Sequence, residues 1–319
     1  MKVFYFENSD GAVRAGSSAG GFFTALAEKI LTEGGVVYGA AFDDSWEVVH
    51  TRVDRPKALE ALRGSKYVFT DISGCFSSIA DDLKAGRDVM FCGTPCQVAA
   101  IRKRVGENEN LLLIEVVCHG APQPKYWDLY LDEILLKQGK SREDIASINF
   151  RDKTEGWKNY SVRVDFKDGS HFIQRHGDNP YILTFIYDYT LRDGCSKCPF
   201  KNPNSKADIS MGDFWGIEVL TPEIDNNLGT TILIADTSKG EALLSEMAES
   251  TSLSVEEVGK YNPAILKAPN TPWEKAEFEK LVSEKGFLFA ANKVIKPILK
   301  HSKPALKSRI KSIIYRSYS

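Results

Sequence analysis

The strongest constraint in this chain is a pair of strand, loop and helix units set one after the other between residues 88 and 139. In the first, "DVMFC" leads through "GTPC" into "QVAAIRKRV"; in the second, "LLLIEVV" leads through "CHGAPQP" into "KYWDLYLDEILLKQG". Both strand runs are almost continuously apolar, the pattern of strands covered on both faces of a parallel sheet. A right-handed crossover brings the loops that follow such strands to one edge of the sheet. Cys96 and Cys118 lie in those loops, so two thiols far apart in sequence are expected to converge.

Four further cysteines are present: Cys75, Cys92, Cys195 and Cys198. A chain of 319 residues buries a sizeable core without crosslinks. No apolar run reaches membrane-spanning length, and "MKVFYFENSD" has neither the basic start nor the apolar block of a signal peptide. The expectation is a cytoplasmic protein, in which a spaced cysteine set points to metal or catalysis rather than disulfides. Cys195 and Cys198 have the spacing of a two-ligand chelate, and Pro199 behind them matches the Cys-Pro end of bacterial iron-sulfur runs. Two ligands need two more. Cys96 and Cys118 are the natural candidates, since glycines beside them free amide N–H groups to face bound sulfide. Cys92 ends a strand and Cys75 sits by a helix start, so both read as small buried hydrophobes. Zinc and iron-sulfur clusters both accept four thiolates, and the spacing does not separate them. His119 is a further zinc-ligand candidate, weighed against an ordinary hydrogen-bonding role, and the four thiols against an unligated set.

Elsewhere, "SSAGGFFTALAEKILTEGG" reads as a helix, with Phe22, Leu26 and Ile30 four apart, Ser17 or Ser18 as cap and Gly34 as stop. "VVYGAAF" and "WEVVHTRV" read as a hairpin, and helices are expected at "PKALEALRGS" and "SSIADDLKAG". Beyond residue 140, "IASINFRD", "YSVRVDF", "HFIQRH", "ADISMGDFW" and "TTILIAD" read as antiparallel strands, and helices take over near residue 239. The fold class is α/β: mixed sheets with parallel units in the N-terminal half, antiparallel strands in the middle and a helical C-terminal extension. The expected division is 1–105, 106–250 and 251–319. Residues 285–319 hold nine Lys or Arg and no acid, leaving −11 on the remainder against a net charge of −2. That tail permits peripheral contact with an anionic membrane, or docking on an acidic partner, while Pro297 and Pro304 are expected to break any long helix in it. Nothing points to nucleic acid, and a homo-oligomer is left open.

Several stretches lean towards a bound cofactor. "SSAGG" entering a helix is an anion site in outline. "LRGSKYV", "GTPCQ" and "FRDKTEGW" add polar glycine turns, charges and an aromatic ring. No G-x-G-x-x-G follows a strand, and the Walker A, H-E-x-x-H and G-x-S-x-G patterns are absent, so Rossmann and hydrolase readings have no support.

Taken in order, "SSAGGFFTALAEKIL", "GGVVYGAAFD", "LRGSKYV", "GTPCQVAAIR", "VVCHGAPQPKYWDLYL", "INFRDKTEGWKNYSV", "CSKCPFKN" and "DISMGDFWGIE" closely resemble the coenzyme F420 hydrogenase/dehydrogenase beta-subunit family, over roughly residues 10 to 250. The resemblance implies an FAD- and 4Fe-4S-dependent oxidoreductase, with Cys96, Cys118, Cys195 and Cys198 as cluster ligands. It implies flavin contacts from Ser17, Ser18, Gly20, Gly21, Thr24, Ser65, Lys66, Tyr67, Thr94 and Gln97, with Arg151 and Lys153 from "FRDK". Many bacterial relatives carry an upstream ferredoxin-like segment that this sequence does not show, so the expected one-electron partner is a ferredoxin or a separate electron-transfer subunit. The other partner is a small-molecule hydride donor or acceptor, deazaflavin-like or otherwise. No residue stands out as a proton donor. The competing reading is a non-catalytic subunit or partner-binding module stabilised by zinc or a cluster.

Overall fold

The computed structural model describes residues 1–301; the tail from 302 to 319, with Pro304 and most of the basic stretch, lies outside the described residues. The chain runs β1 (Lys2–Phe6), α1 (Gly11–Ala15), α2 (Phe22–Thr32), β2 (Val36–Phe42), β3 (Val48–Val53), α3 (Cys75–Lys84), β4 (Val89–Gly93), α4 (Pro95–Val105), β5 (Leu111–Val116) and α5 (Pro124–Gln138). It continues with β6 (Ile145–Asp152), β7 (Ser161–Phe166), β8 (His171–Arg175), α6 (Pro180–Ile186), β9 (Ile209–Asp213), α7 (Ile217–Leu220) and β10 (Thr231–Ala235). Last come α8 (Ser238–Met247), β11 (Glu249–Ser250), α9 (Val255–Tyr261), α10 (Lys275–Lys285) and α11 (Phe287–His301).

Eight strands form one mixed sheet in the order β11-β1-β10-β9-β5-β4-β2-β3, and β6, β7 and β8 form a separate antiparallel sheet. The expected α/β class therefore holds. β2, β4, β5 and β9 pair in parallel, and β3, β10 and β1 add antiparallel pairings. The period-2 geometry of the central strands explains their apolar runs. Met90, Cys92, Leu112 and Ile114 pack with Phe22 and Leu26 of α2 on one face. Val89, Phe91, Leu111 and Leu113 pack with Ile79 of α3 and Val98 and Ile101 of α4 on the other. Fully burying each such side chain contributes about 1.5–3 kcal/mol. A third cluster joins the small sheet to α5, α6 and α11 through Trp127, Tyr130, Phe150, Tyr181 and Phe287.

Three local expectations change. Helix α2 is capped by Gly21 at φ 89°, a left-handed conformation that glycine adopts freely, with no side-chain cap from Ser17 or Ser18. Gly34, also left-handed at φ 87°, does end it as expected. The segment Pro56–Leu62 is a 3-10 turn rather than an α-helix, with no side-chain cap at Arg55. Helix α11 continues through Pro297 to His301. Proline removes one ladder bond, and packing of Phe287, Leu288, Ala290, Ala291 and Ile295 holds the helix against that cost.

Candidate functional site

The crossover from β4 to β5 sets the geometry of the cysteines. Cys96 lies on the first turn of α4, where Thr94 and Gln97 form a reciprocal capping box. The Thr94 backbone N–H donates to Gln97 Oε1 at 2.8 Å, and Thr94 Oγ1 lies 3.2 Å from Cys96 Sγ. Cys118 follows the end of β5. Cys195 lies within the 3-10 turn Asp193–Lys197 and Cys198 just after it, with the Cys198 N–H donating to the Cys195 carbonyl at 3.2 Å. The Ala121 N–H, from the loop that bears Cys118, donates to Cys195 Sγ at 3.5 Å. The two loops are thus tied together.

Burial pushes the Cys118 thiol up to about 12; the Lys201 charge opposes this, and Cys96, Cys195 and Cys198 add to it. One thiol therefore feels the three others. All four are half-buried, whereas Cys75 and Cys92 are buried in the core, where desolvation raises them to about 11 and about 12. Among the described residues, no three His, Cys, Asp or Glu side chains converge closely enough to hold a metal ion. His119 Nε2 is committed to Asp188 Oδ1 at 2.6 Å, the hydrogen-bonding role. Lys201, which sequence reasoning did not single out, is 8% exposed and donates to the carbonyls of Cys118 and, at 2.8 Å, Ala264.

A second polar assembly gathers many of the other candidates. Ser18 Oγ accepts the Ser65 N–H at 2.7 Å and lies 2.8 Å from the Ser65 hydroxyl. Arg151 donates to Tyr67 Oη at 3.1 Å, to the Ser18 carbonyl at 3.3 Å and to both oxygens of Asp213 at 3.0 and 3.2 Å. Lys153 Nζ donates to the carbonyls of Arg14, Ala19 and Leu228 at 2.7, 3.2 and 3.0 Å. Lys66 Nζ donates to the carbonyls of Ala61 and Arg63. Burial lowers Lys66 and Lys153 to about 8 each, in Lys153 with repulsion from Arg151 as well.

Not every candidate joins this group. Ser17 donates to the Val13 carbonyl at 2.8 Å. A Cβ on Gly20 would stand 2.0 Å from the Phe6 carbonyl and 2.7 Å from the Thr231 nitrogen, so packing between β1 and β10 accounts for this glycine. Thr24 is buried on α2, with no hydrogen bond to the others among the described residues. Thr94 and Gln97 stand with Cys96. Gln97 Nε2 donates to Thr70 Oγ1 at 2.9 Å, and Thr70 Oγ1 lies 2.5 Å from His50 Nδ1. His50, Thr70 and Asp213 went unnoticed in the sequence, because a polar residue inside a strand or loop carries no local signal of its distant partner.

No curated protein matches the chain. Among solved structures, one chain of the F420-reducing [NiFe] hydrogenase complex from Methanosarcina barkeri, studied by xenon derivatization, is 18% identical with a TM-score of 0.52, the alignment covering 93% of this chain and 91% of that one. At this identity the likeness is one of fold. Models of the N-terminal and C-terminal regions of the coenzyme F420 hydrogenase/dehydrogenase beta subunit match residues 3–76 and 86–260. Since the second model alone covers more than half of the residues, the chain belongs to the coenzyme F420 hydrogenase/dehydrogenase beta-subunit family, a family of oxidoreductase components.

Proposed function

We propose that this chain is a flavin- and iron-sulfur-dependent oxidoreductase that passes electrons between a small-molecule hydride donor or acceptor and a one-electron partner. In this reading Cys96, Cys118, Cys195 and Cys198 hold a 4Fe-4S cluster. FAD lies against the segments 17–21, 65–67 and 151–153. The carrying observation is that the loop bearing Cys118 is tied to the Cys195–Cys198 turn by the Ala121 N–H, which donates to Cys195 Sγ at 3.5 Å.

The donor chemistry fits. All four side chains are sulfur, and a cubane cluster gives each thiolate its own iron corner, spreading the sulfurs more widely than a single zinc ion does. An all-sulfur donor set is the kind that iron-sulfur clusters take, and Pro199 behind Cys198 matches the Cys-Pro end of such runs. The Ala121 N–H and the Lys201 ammonium are suited to stabilise negative charge on sulfur. On the flavin side, Lys66 and Lys153 are lowered by burial and donate to backbone carbonyls, so they shape the segment, and the Nε atoms of Arg63 and Arg151 are buried without a hydrogen-bond partner. Arg63 stands next to the Ser17–Gly21 segment, since a Cβ on Gly16 would lie 2.8 Å from its Nη2. Such desolvated cations suit phosphate and the charge of a reduced ring.

When bound, flavin supplies two-electron hydride chemistry with single-electron release, and the cluster takes electrons one at a time. The chain's residues bind and orient. Ser18 and Ser65 fix the turn, Arg151 locks Tyr67 against it, and Lys153 pins the 14–19 segment by its carbonyls. The one-electron partner is a ferredoxin or a separate subunit, in keeping with a fold neighbour that is part of a multi-component complex. No helix among the described residues is long and apolar enough to cross a membrane. Anaerobic purification tests the reading. A yellow-brown protein whose flavin band bleaches with one member of a panel of hydride donors supports it; a colourless protein that takes up neither FAD nor iron on reconstitution overturns it.

A further inference from the structure

A groove of about 410 Å³ opens directly beside Cys96. Its floor is Cys96, Ala99 and Ala100 of α4 together with Phe200, and Arg102, Lys103 and Lys206 form its edge. Cys96, Ala99, Ala100 and Lys103 are spaced i, i+3, i+4 and i+7, so they form one face of the helix. Arg102 is held in place by Glu107 and by Asp208 at 3.2 Å, and donates to the Lys206 carbonyl at 3.3 Å. Lys103 and Lys206 are exposed and form no ion pair among the described residues.

The charge around this groove runs against that of the rest of the chain. Arg102 is balanced by Glu107 and Asp208 and Lys201 is buried, but Lys103, Arg104, Lys197 and Lys206 are exposed with no ion pair among the described residues, while the whole chain is at −2. An apolar floor within a single-sign rim is the form of a surface that steers an oppositely charged protein and then excludes water beneath it. The floor includes one of the four thiols, so an occupant would sit against the proposed cluster.

We infer that this groove docks a small acidic one-electron carrier protein, with the carrier's carboxylates on Lys103 and Lys206 and its apolar surface on Ala99, Ala100 and Phe200. The inference rests on the redox reading above. Each encounter moves one electron between cluster and carrier, reducing one and oxidising the other, with no bond made or broken. Rim charges act chiefly on association rate and salt dependence.

The test uses the full-length reconstituted protein and an acidic two-cluster ferredoxin, with binding followed by calorimetry at several salt concentrations. The Lys103→Glu/Lys206→Glu variant is expected to weaken binding about tenfold or more at low salt and to flatten its salt dependence. Lys137→Glu serves as the control. That exposed lysine lies on the last turn of α5, about 20 Å along the helix from its start by the Cys118 loop. Ala99→Trp, which fills the groove without changing charge, is expected to weaken binding at every salt concentration. Wild-type protein that does not bind the ferredoxin, or rim variants that bind like Lys137→Glu, would overturn the inference. The redox reading is judged separately, from the flavin and iron content of the wild-type sample.

Discussion

Replacing Arg151 by methionine keeps most of the side-chain length and removes the charge. Arg151 is 3% exposed, pairs with Asp213 at 3.0 Å and stacks 4.0 Å from the centre of the Tyr160 ring. Burial alone would weaken the cation, yet Asp213, Tyr67 and Tyr160 hold its pKa above the ordinary arginine value. In the variant, Asp213 keeps the Trp157 indole N–H at 3.3 Å but loses both guanidinium donors. Removing one partner of a buried pair costs about 3–5 kcal/mol; the Asp213 side chain is 18% exposed, which places the expected loss near the lower end, at about 3 kcal/mol. Urea unfolding of the apoprotein, followed by tryptophan fluorescence, measures it. Asp213→Asn combined with Arg151→Met is expected to recover at least half of the loss, because no uncompensated charge remains. A single-variant loss below about 1 kcal/mol, or a double-variant loss equal to the sum of the two single losses, would refute the reasoning.

Two other perturbations have definite outcomes. Gly20→Ala forces a methyl to within 2.0 Å of the Phe6 carbonyl, so loss of folded protein, or a destabilisation of about 3 kcal/mol or more, is expected in expression and thermal melts. Ser210 Oγ lies 2.8 Å from Glu115 Oε1 and 2.6 Å from Asp236 Oδ2, and its one hydrogen cannot fully satisfy both carboxyls. Burial raises Glu115 to about 7 and Asp236 to about 6. A raised acid makes the folded state bind more protons than the unfolded one, so stability falls as pH climbs from the ordinary carboxylate range towards 7. Glu115→Gln is expected to remove up to about 3 kcal/mol of that fall, read as urea midpoints at pH 5 and pH 8; an unchanged slope would contradict the assignment.

The central sheet and the cysteine loops were legible because their signals are local. The apolar runs of β4 and β5, the loop glycines and the positions of Cys96 and Cys118 need only neighbouring residues to be read. β1 was missed because its partner β10 lies more than two hundred residues away: Lys2 pairs with Ala235. Ser17 and Ser18 looked like caps, but Gly21 in a left-handed conformation starts the helix, leaving Ser18 for Ser65. Pro297 looked like a breaker because its cost is local, whereas the packing that outweighs it comes from the α5 and α6 side of the core. The line from His50 through Thr70, Gln97 and Thr94 to Cys96 joins three separate segments, and no one of them shows it alone.

Iron and acid-labile sulfide per chain, measured in anaerobically reconstituted wild-type protein and in serine variants of the six cysteines, tests the account most directly. About four iron and four sulfide per chain are expected in the wild type, retained in Cys75→Ser and Cys92→Ser and lost or sharply reduced in Cys96→Ser, Cys118→Ser, Cys195→Ser and Cys198→Ser. A single zinc ion in place of iron, or cluster content indifferent to Cys118, would contradict it.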